Sequence, residues 1–455
     1  MQNIEHFLLL TSVILFMCLP IVSAGTVGFF SQDWSYPASY LVYPRALDCV
    51  GQMVYFGSHN TFGFTNYLYA VNITNGQLKW WYNTTLPVNY VSNFTYNGNT
   101  YIIAATGGSV SLPSQSYVLA LYTQKNATLW NSTNLNAPVQ SLGTAGSDVS
   151  INEDVIAGLA NGQVLRLSGS NGSLQWRYNC EGNITIGNVP NIVQLDNGSI
   201  AVGTSSLTTG QGYLYCFTKD GLPIWNYTSE ISNPLREIKR FRTLNEIVAA
   251  FKDVIDVRNG TNGAEISQWP FNTTQHIAPF NVTQEITDIL CIEDYTGDGF
   301  PDIVVGTEGG TGGFLMIING RDATLTRGAT QVSSYTLPYI QYMYFNDNLL
   351  NKTLAISIED SSHQYYVCGV NASDLTVMKE FPVSGIFAPT NLVSIANSTN
   401  FTGNLLFSAG NVVYYVSGNE IVYSEFPSQI MVVVLILTIG FLLAISRREH
   451  PRKVE

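Results

Sequence analysis

The chain has 455 residues, of which 45% are hydrophobic and 11% charged, and its formal net charge is −12. This acidic balance argues against nucleic acid as a partner, because phosphate binding requires a basic surface. Intrinsic disorder is also excluded, since a chain with 12% aromatic residues can bury enough apolar surface to offset its loss of conformational entropy. We therefore expect a folded body of one large or two ordinary domains.

The first predicted element is an apolar segment at the N-terminus. It runs from Phe7 to Val22 and closes with the small residues Ser23 and Ala24. This pattern predicts a secretory signal peptide over residues 1–24, cleaved near Ala24. Since no Lys or Arg precedes the apolar segment, an uncleaved membrane anchor is the alternative.

A second apolar segment lies near the C-terminus. The stretch from Ile430 to Ser446 is uncharged, and four basic residues follow it closely: Arg447, Arg448, Arg452 and Lys453. The pattern predicts a transmembrane helix over residues 428–446 and a short basic cytoplasmic tail over 447–455. We therefore expect a single-pass membrane protein whose bulk, residues 25–427, is extracellular or lumenal.

Asn-x-Ser/Thr sequons support this topology, because all of them lie between the two apolar segments. A glycosylated surface would also keep a body with so few charges soluble. The sixteen candidate glycosylation sites are Asn72, Asn83, Asn93, Asn126, Asn131, Asn171, Asn183, Asn197, Asn226, Asn259, Asn272, Asn281, Asn351, Asn371, Asn397 and Asn400.

The body of the chain contains a repeated hairpin. Four segments align as a strand, a turn and a second strand that ends in Trp. Asn-Gly or Asp-Gly in three of the four turns predicts tight type I′ hairpins. The four hairpins run from Leu68 to Trp80, Val118 to Trp130, Val164 to Trp176 and Leu214 to Trp225.

Further units continue the repeat. A fifth unit contains Val254 to Val257 and Trp269, and later units without Trp are placed at Leu315 to Leu325, Tyr366 to Met378 and Val413 to Tyr423. Other short strands are predicted between the hairpins, and no amphipathic helix is evident. Four strands per unit of 44 to 56 residues is typical of a propeller blade. We predict an all-β fold, a β-propeller of seven or eight four-stranded blades, plus the C-terminal transmembrane helix; the region from Asp33 to Pro44 could lend a strand that closes the ring.

The segment Tyr69-Ala70-Val71-Asn72, followed by Asn75-Gly76 and Trp80, resembles the repeat of the quinoprotein (PQQ-like) β-propeller family. The resemblance is clear over residues 68–269 and fades afterwards. It implies that the recurring Trp packs between adjacent blades. Enzymes of that family hold the quinone over calcium in the central funnel, with carboxylate ligands and often a vicinal disulfide. The sequence contains no Cys-Cys pair, so we expect no PQQ and treat a quinone-dependent dehydrogenase as an alternative.

One loop carries the pattern of a metal site. Oxygen donors occur at Asp294, Thr296, Asp298 and Asp302, and the backbone carbonyl of Phe300 can add another ligand. The segment resembles the calcium loop of FG-GAP repeats, which are themselves propeller units. We predict calcium as a possible structural cofactor here, the alternative being ordinary Asp and Gly turn residues between two strands.

Five cysteines lie in the body: Cys49, Cys180, Cys216, Cys291 and Cys368. Their odd number leaves at least one thiol unpaired, so the fold must depend on its core rather than on a disulfide scaffold. A bridge between Cys180 and Cys216 in neighbouring units is one hypothesis. The other places Cys216 as a small buried thiol, at the position that Ala70 occupies in the first unit.

These features favour a membrane-tethered, N-glycosylated propeller that acts as a protein-binding or scaffolding module; the alternatives are a PQQ-type dehydrogenase and a glycan- or solute-binding receptor component. An enzyme predicts convergent carboxylates at one end of the central channel. A scaffold predicts an apolar patch without sequons on a face or rim. The longest tract without sequons, from Val282 to Leu350, is our expected contact sector.

Overall fold

The computed structural model describes residues 28–417 except 30, 63–64, 110–111, 113, 146–152, 183–191, 242–244, 267–269, 274–283, 293, 310–312, 332–342, 347–352, 360–363, 373–374, 376, 384–388 and 396–403. These residues belong to one compact unit that ends at Gly418. The predicted signal peptide, transmembrane segment and tail lie outside the described residues. Within the described part, no helix has the length and apolar character needed to cross a membrane.

The described residues form strands throughout. In chain order they are β1 Gly28–Phe29, β2 Ser31–Pro37, β3 Leu41–Val50, β4 Met53–His59, β5 Tyr67–Asn72, β6 Leu78–Asn83, β7 Val88–Tyr96, β8 Asn99–Gly107, β9 Ser116–Tyr122, β10 Thr128–Asn131, β11 Val139–Ala145, β12 Asp154–Leu159, β13 Gln163–Leu167, β14 Leu174–Asn179, β15 Ile192–Gln194, β16 Ile200–Ser205, β17 Gly212–Phe217, β18 Pro223–Thr228, β19 Leu235–Arg240, β20 Glu246–Phe251, β21 Val254–Asn259, β22 Phe271–Asn272, β23 Gln284–Ile292, β24 Asp302–Gly309, β25 Phe314–Ile318, β26 Leu325–Gln331, β27 Met343–Asn346, β28 Thr353–Glu359, β29 Tyr365–Asn371, β30 Val377–Val383, β31 Pro389–Ile395, β32 Asn404–Ala409 and β33 Val412–Ser417.

The strands assemble into eight sheets, which confirms the β-propeller and sets the number of blades at eight. Blades 1 to 6 take four consecutive strands each, from β3–β6 to β23–β26. Blade 7 is β27–β30, with β1 added in parallel to β30, and blade 8 is β31–β33 with β2. The first strands of successive blades adjoin, and β31 adjoins β3, so that the ring closes around a central channel.

The ring is closed by the N-terminal part of the chain. Strand β2 pairs antiparallel with β33, where Trp34 lies opposite Tyr415 and stacks on its ring at 5.5 Å between centroids. This confirms that the region beginning near Asp33 lends a strand to the ring. The hairpin expected at Val413 to Tyr423 is confirmed only for its first strand, because β2 occupies the outer position beside β33; residues 418–423 lie outside the described residues.

The hydrophobic core lies between neighbouring blades. One cluster joins Val248 and Ile255 of blade 5 to Ile303 and Met316 of blade 6, and the clusters at other blade interfaces are built in the same way. The middle strands are therefore covered on both faces; all residues of β16 and β17 are buried. The outer strands alternate between exposed and half-buried residues. Burial of apolar surface at about 25 cal/mol per Å² makes these interfaces the main source of stability.

Recurring tryptophans connect neighbouring blades, as the family resemblance implies, at the five successive interfaces from blade 8 to blade 5. Five indole Nε1–H groups donate to the third-to-fourth-strand turn of the following blade. The bonds are Trp34 to Ile73 O at 2.8 Å, Trp80 to Thr123 O at 3.3 Å, Trp130 to Gly169 O at 2.8 Å, Trp176 to Lys219 O at 2.9 Å and Trp225 to Gly260 O at 3.0 Å. Trp269 lies outside the described residues.

The turns that receive these tryptophans are not type I′ as expected. In the first of them only Gly76 has a positive φ, +65°, and its N–H donates to Asn72 O. Type I′ needs a positive φ at both central residues. The longer turn presents the carbonyl of Ile73 to the incoming indole.

Two ends of the blades can be distinguished from the strand order. In each antiparallel blade, the turns between the first and second and between the third and fourth strands lie at one end, which we call the turn face. The connections between the second and third strands and from blade to blade lie at the other end, the loop face.

Candidate functional site

The inner strands place polar side chains at one equivalent position around the channel. Five of them, β7, β11, β19, β23 and β31, are bulged near their loop-face end, where the pairing register shifts by one residue; in β31 the residue after the bulge is the apolar Val393. Bulges re-aim side chains and are common beside functional sites. The other residues that follow the bulge are Tyr90 in blade 2, Ser141 in blade 3, Glu237 in blade 5 and Asp288 in blade 6.

Glu237 and Asp288 meet between blades 5 and 6. Glu237 is 0% exposed and Asp288 is 5% exposed. Glu237 Oε2 accepts the backbone N–H of Ile289 at 3.0 Å, and Oε1 lies 2.5 Å from Lys239 Nζ. Ile289, whose N–H Glu237 accepts, directly follows Asp288 in β23.

The charges of these buried groups affect one another. Burial raises the pKa of Asp288 well above its usual range, and the negative charge of Glu237 raises it further. Burial alone would lower the pKa of Lys239, but the charges of Glu237 and Asp288 outweigh that effect and raise it. Lys239 is 29% exposed, so the solvent reaches the cluster on its side.

Arg45 contributes a second positive charge from another blade. It lies in a wide bulge of β3 in blade 1, between the paired residues Val42 and Leu47, and has a φ of +71°. Its guanidinium carbon lies 5.9 Å from the centroid of the Tyr90 ring. Its charge lowers the pKa of Asp288 and of Lys239. Arg45, Glu237, Lys239 and Asp288 together form what we call the channel cluster.

The channel cluster is the convergence of carboxylates that an enzyme predicts, but its geometry favours another role. Both carboxyl groups are buried, and that of Glu237 contacts Lys239 Nζ and the backbone N–H of Ile289. A catalytic acid or base must come within hydrogen-bond reach of its substrate. A buried pair of this kind instead joins the elements that carry it, here two neighbouring blades.

The sequence analysis did not single out these four residues. The signal was present, since Leu235-Arg236-Glu237-Ile238 and Ile286-Thr287-Asp288-Ile289 have the same pattern at the start of their inner strands. Aligning the inner strands, rather than the Trp hairpins, would have placed Glu237 beside Asp288. The approach of Arg45 from blade 1 depends on ring closure and has no local sequence signal.

The predicted calcium loop lies on the turn face of blade 6, between β23 and β24. The carboxylate of Asp294 accepts the backbone N–H groups of Gly297 at 2.6 Å, Asp298 at 3.1 Å and Gly299 at 2.7 Å. These bonds hold the pKa of Asp294 below its usual range. The loop is thus wrapped around its first carboxylate.

The other oxygens of this loop that could bind calcium also have hydrogen-bond partners within the protein. Asp298 accepts from Phe300 N at 3.0 Å and from Asn319 Nδ2 at 2.9 Å, and the same amide lies 3.3 Å from Thr296 Oγ1. Among the described residues, no three His, Cys, Asp or Glu side chains group as a metal site would require. The structure brings Asp294, Thr296 and Asp298 into one loop, and calcium binding there stays a prediction.

Asp302 has a structural role of its own. It accepts the N–H groups of Tyr295 and Thr296 through Oδ2 and that of Gly320 through Oδ1. Asp154, at the equivalent start of β12 in blade 3, accepts the N–H of Gly169 at 2.8 Å. Both carboxylates therefore fasten the following third-to-fourth-strand turn of their own blade.

The candidate glycosylation sites divide by position. Six lie at the turn-face end: Asn72, Asn126, Asn171, Asn197, Asn259 and Asn371; three end outer strands at the loop-face end, Asn83, Asn131 and Asn272; and Asn226 lies within an outer strand. Asn93 is on the inner strand β7, where its Nδ2 donates to Asp48 Oδ2 at 2.8 Å. The remaining sites, Asn183, Asn281, Asn351, Asn397 and Asn400, lie outside the described residues.

All five cysteines of the body are free thiols. The hypothesis of a bridge between Cys180 and Cys216 is therefore wrong, and the alternative is confirmed: Cys216 is buried opposite Trp225, as Ala70 is opposite Trp80. Burial raises the pKa of Cys180, Cys216 and Cys291 to about 12. These thiols remain protonated at neutral pH and are poor nucleophiles.

Comparisons with known proteins confirm the fold. No family model matches the chain, and no curated protein matches its sequence. BamB from Moraxella catarrhalis has a similar structure, with 13% identity, a TM-score of 0.55, and coverage of 85% of this chain and 99% of BamB. The computationally designed protein Ika8 is 12% identical and has a TM-score of 0.59, with coverage of 85% of this chain and 100% of Ika8. Sqt1 from Saccharomyces cerevisiae is 11% identical and has a TM-score of 0.58, with coverage of 86% of this chain and 98% of Sqt1. At such identities the likeness establishes a β-propeller and no more.

Proposed function

We propose that the protein is a membrane-tethered, N-glycosylated, extracytoplasmic propeller that binds a protein partner through its loop face. The observation that carries the proposal is the uneven distribution of exposed apolar side chains and sequons between the two faces. The tether is the sequence prediction at residues 428–446, and the topology follows from the basic tail beyond it.

The loop face exposes large apolar side chains. Phe62 is 81% exposed, Leu207 79% and Ile231 72%. Leu207 and Ile231 lie on contacting loops, since Ser232 N donates to Thr209 O. Tyr40 joins the loop of Phe62 through a hydrogen bond to Thr65 Oγ1. Exposed apolar groups of this kind are typical of protein-binding surfaces.

The sequons show the opposite distribution. Six described sequons lie at the turn-face end of their blades, whereas three, Asn83, Asn131 and Asn272, lie at the loop-face end, each as the last residue of an outer strand. A glycan is bulky and hydrophilic, so a surface used for protein contact must be kept clear of it. The loop face therefore meets the requirement for an apolar surface without glycans better than the turn face does.

The contact sector expected from the sequence differs from this surface. The tract from Val282 to Leu350 contributes blade 6, and its described residues include none of the large exposed apolar side chains. We therefore assign partner binding to the loop face of blades 1, 4 and 5.

Closer kinship with the quinoprotein-type propellers is part of the proposal. It is supported by the five indole contacts, which place each Trp as the repeat pattern requires. The kinship concerns architecture, and the sealed carboxyl pair of the channel cluster supports a binding role over a catalytic one.

The test compares surface variants of matched exposure. Leu222 is 65% exposed but lies on the turn face of blade 4, so Leu222→Ser is a control for Phe62→Ser and Leu207→Ser. Each tagged full-length variant is expressed in the source cells, and proteins recovered with it are quantified against wild type. We expect the loop-face variants to lose one partner at least tenfold, while Leu222→Ser keeps it. Equal recovery with all variants would contradict the proposal.

A further inference from the structure

The indole of Trp81 is an exposed aromatic surface on β6, the outer strand of blade 1. Its residue is 49% exposed, whereas the preceding Trp80 is engaged at the interface with blade 2. The ring of Tyr67 on β5 is nearly perpendicular to the indole, at an interplanar angle of 83° and with 5.2 Å between the ring centroids. The two rings therefore form a corner with an apolar floor and an apolar wall.

A candidate glycosylation site lies on the same face of this blade. Asn83 is directly opposite Tyr67 in the pairing of β5 with β6, and Trp81 lies two residues before Asn83. Residues opposite each other or two apart on a strand project from the same face of a sheet. The backbone distance from Asn83 to Trp81 is about 7 Å along the strand. The first sugar of a chain attached at Asn83 is therefore within reach of the indole.

The turn after β6 holds the Asn83 side chain through its oxygen. Asn83 Oδ1 accepts the backbone N–H of Thr85 at 2.9 Å. The same turn is fastened to Asn66, whose carbonyl accepts Thr84 N at 2.9 Å and whose Nδ2 donates to Thr85 O at 3.3 Å. The bond from Thr85 N uses Oδ1 and not Nδ2, the atom to which a glycan is attached. A glycan on Asn83 is therefore compatible with every bond of this turn.

We propose that the first sugar of a glycan on Asn83 stacks on the indole of Trp81, beside the ring of Tyr67. The C–H groups on one face of a sugar ring are polarised by the neighbouring oxygens, and the face of an aromatic ring is the negative side of its quadrupole. Stacking also removes apolar surface of Trp81 from water, while the sugar hydroxyls stay solvated. The contact rests on the N-glycosylation in the proposed function and specifies where one glycan is held.

This contact directs the glycan away from the loop face. Strand β6 runs from the turn face to the loop face, so Trp81 lies nearer to the turn face than Asn83 does. A glycan held on Trp81 extends along the outer strand. Phe62, in the loop-face connection of the same blade, then stays accessible to a partner. A sequon at the loop-face end of blade 1 is in this way compatible with a binding surface on that face.

The test combines glycopeptide mass spectrometry with hydroxyl-radical footprinting of the full-length protein from its source cells. Asn83→Gln removes the glycan, and Thr85→Val removes the sequon but keeps the Asn83 side chain. We expect both variants to raise the oxidation of Trp81 at least twofold, because the indole loses its cover. The oxidation of Phe62 should stay as in wild type.

Asn226→Gln is the matched control for the loss of a glycan. Asn226 also lies on an outer strand, but the residue two positions before it is Ile224, so this variant should leave the oxidation of Trp81 unchanged. If Asn83 carries a glycan whose loss does not change the oxidation of Trp81, the stacking is refuted and the proposed N-glycosylation stands. An unmodified Asn83 beside a glycosylated Asn226 would also refute the stacking. If no sequon carries a glycan, the proposed N-glycosylation fails with it.

Discussion

Trp34 lies on Gly76 at the point where the two ends of the ring meet. The indole N–H donates to Ile73 O at 2.8 Å, and a Cβ atom added to Gly76 would come within 2.8 Å of the indole ring. The same relationship joins Trp130 to Gly172, Trp176 to Gly221 and Trp225 to Gly263. The closing strand β2 thus makes the contact that the other blades make within continuous chain, and the repeat extends across the closure.

The first prediction concerns this contact. Gly76→Ala should destabilise the protein for two reasons: φ is +65° and the new methyl group would collide with Trp34. The left-handed conformation costs roughly 1 kcal/mol, and displacement of a packed ring adds roughly 1–3 kcal/mol. Gly98→Ala is the matched control, because its φ is +70° but nothing lies within 4 Å of the new Cβ.

Thermal unfolding of both variants is the measurement. We expect Gly98→Ala to lower Tm slightly and Gly76→Ala to lower it several times more. Equal shifts would mean that backbone strain alone matters and that the Trp34 contact contributes nothing to closure.

The second prediction separates calcium binding from the structural role of Asp302. Asp302→Ala should destabilise the protein with or without calcium, as Asp154→Ala should, because each carboxylate accepts a turn N–H in its own blade. Asp298→Asn should cost about one hydrogen bond in a chelator, roughly 1 kcal/mol, because its amide can accept from only one of Phe300 N and Asn319 Nδ2. It should abolish any rise in Tm that calcium gives wild type. The measurement is Tm with millimolar calcium and with chelator.

If wild type shows no rise in Tm with calcium, the loop is held by its own backbone bonds and the metal prediction fails. If calcium raises Tm equally in wild type and Asp298→Asn, the ion binds elsewhere.

The third prediction concerns the glycan map. Asn93 is engaged with Asp48 through Nδ2, the atom to which a glycan would be attached, and it lies on an inner strand. We expect Asn93 to be unmodified, whereas the exposed Asn171, Asn197 and Asn226 carry glycans. Glycopeptide mass spectrometry of the protein from its source cells measures this, and a glycan found at Asn93 would contradict the assignment.

The fourth prediction concerns the thiols. Cys216 and Cys368 are fully buried, and burial raises the pKa of both. Since the thiolate is the reactive form, neither should be alkylated by iodoacetamide in the native state, and both should react once the protein is unfolded. Non-reducing peptide mapping is the check: a disulfide between Cys180 and Cys216, or rapid native alkylation, would show that the interior differs from this account.

The local features of the fold were predictable from sequence, and the non-local ones were not. The hairpins ending at Trp80, Trp130, Trp176 and Trp225 were located from apolar strands around a turn. Their turn type was predicted wrongly, because the demand for a carbonyl acceptor comes from the preceding blade. The closing strand was anticipated as a region, but Trp34 was not recognised as a member of the Trp series, since it precedes the first unit in sequence and follows the last in space.

The channel cluster is likewise a non-local feature that the sequence did not predict. Glu237 and Asp288 are 51 positions apart in sequence and meet only because the bulges of two inner strands are equivalent. Their burial depends on the assembled ring. By contrast, the residues of the Asp294 loop were located correctly as a group, because a single turn holds them together.

The most direct test of the central claim is site-specific photo-crosslinking of the full-length protein in membranes of its source cells. A photoreactive residue is placed at Leu207 on the loop face or at Leu222 on the turn face of the same blade. The account predicts a defined crosslink to one partner protein from position 207 and none from position 222. A partner crosslinked from position 222 alone would contradict it.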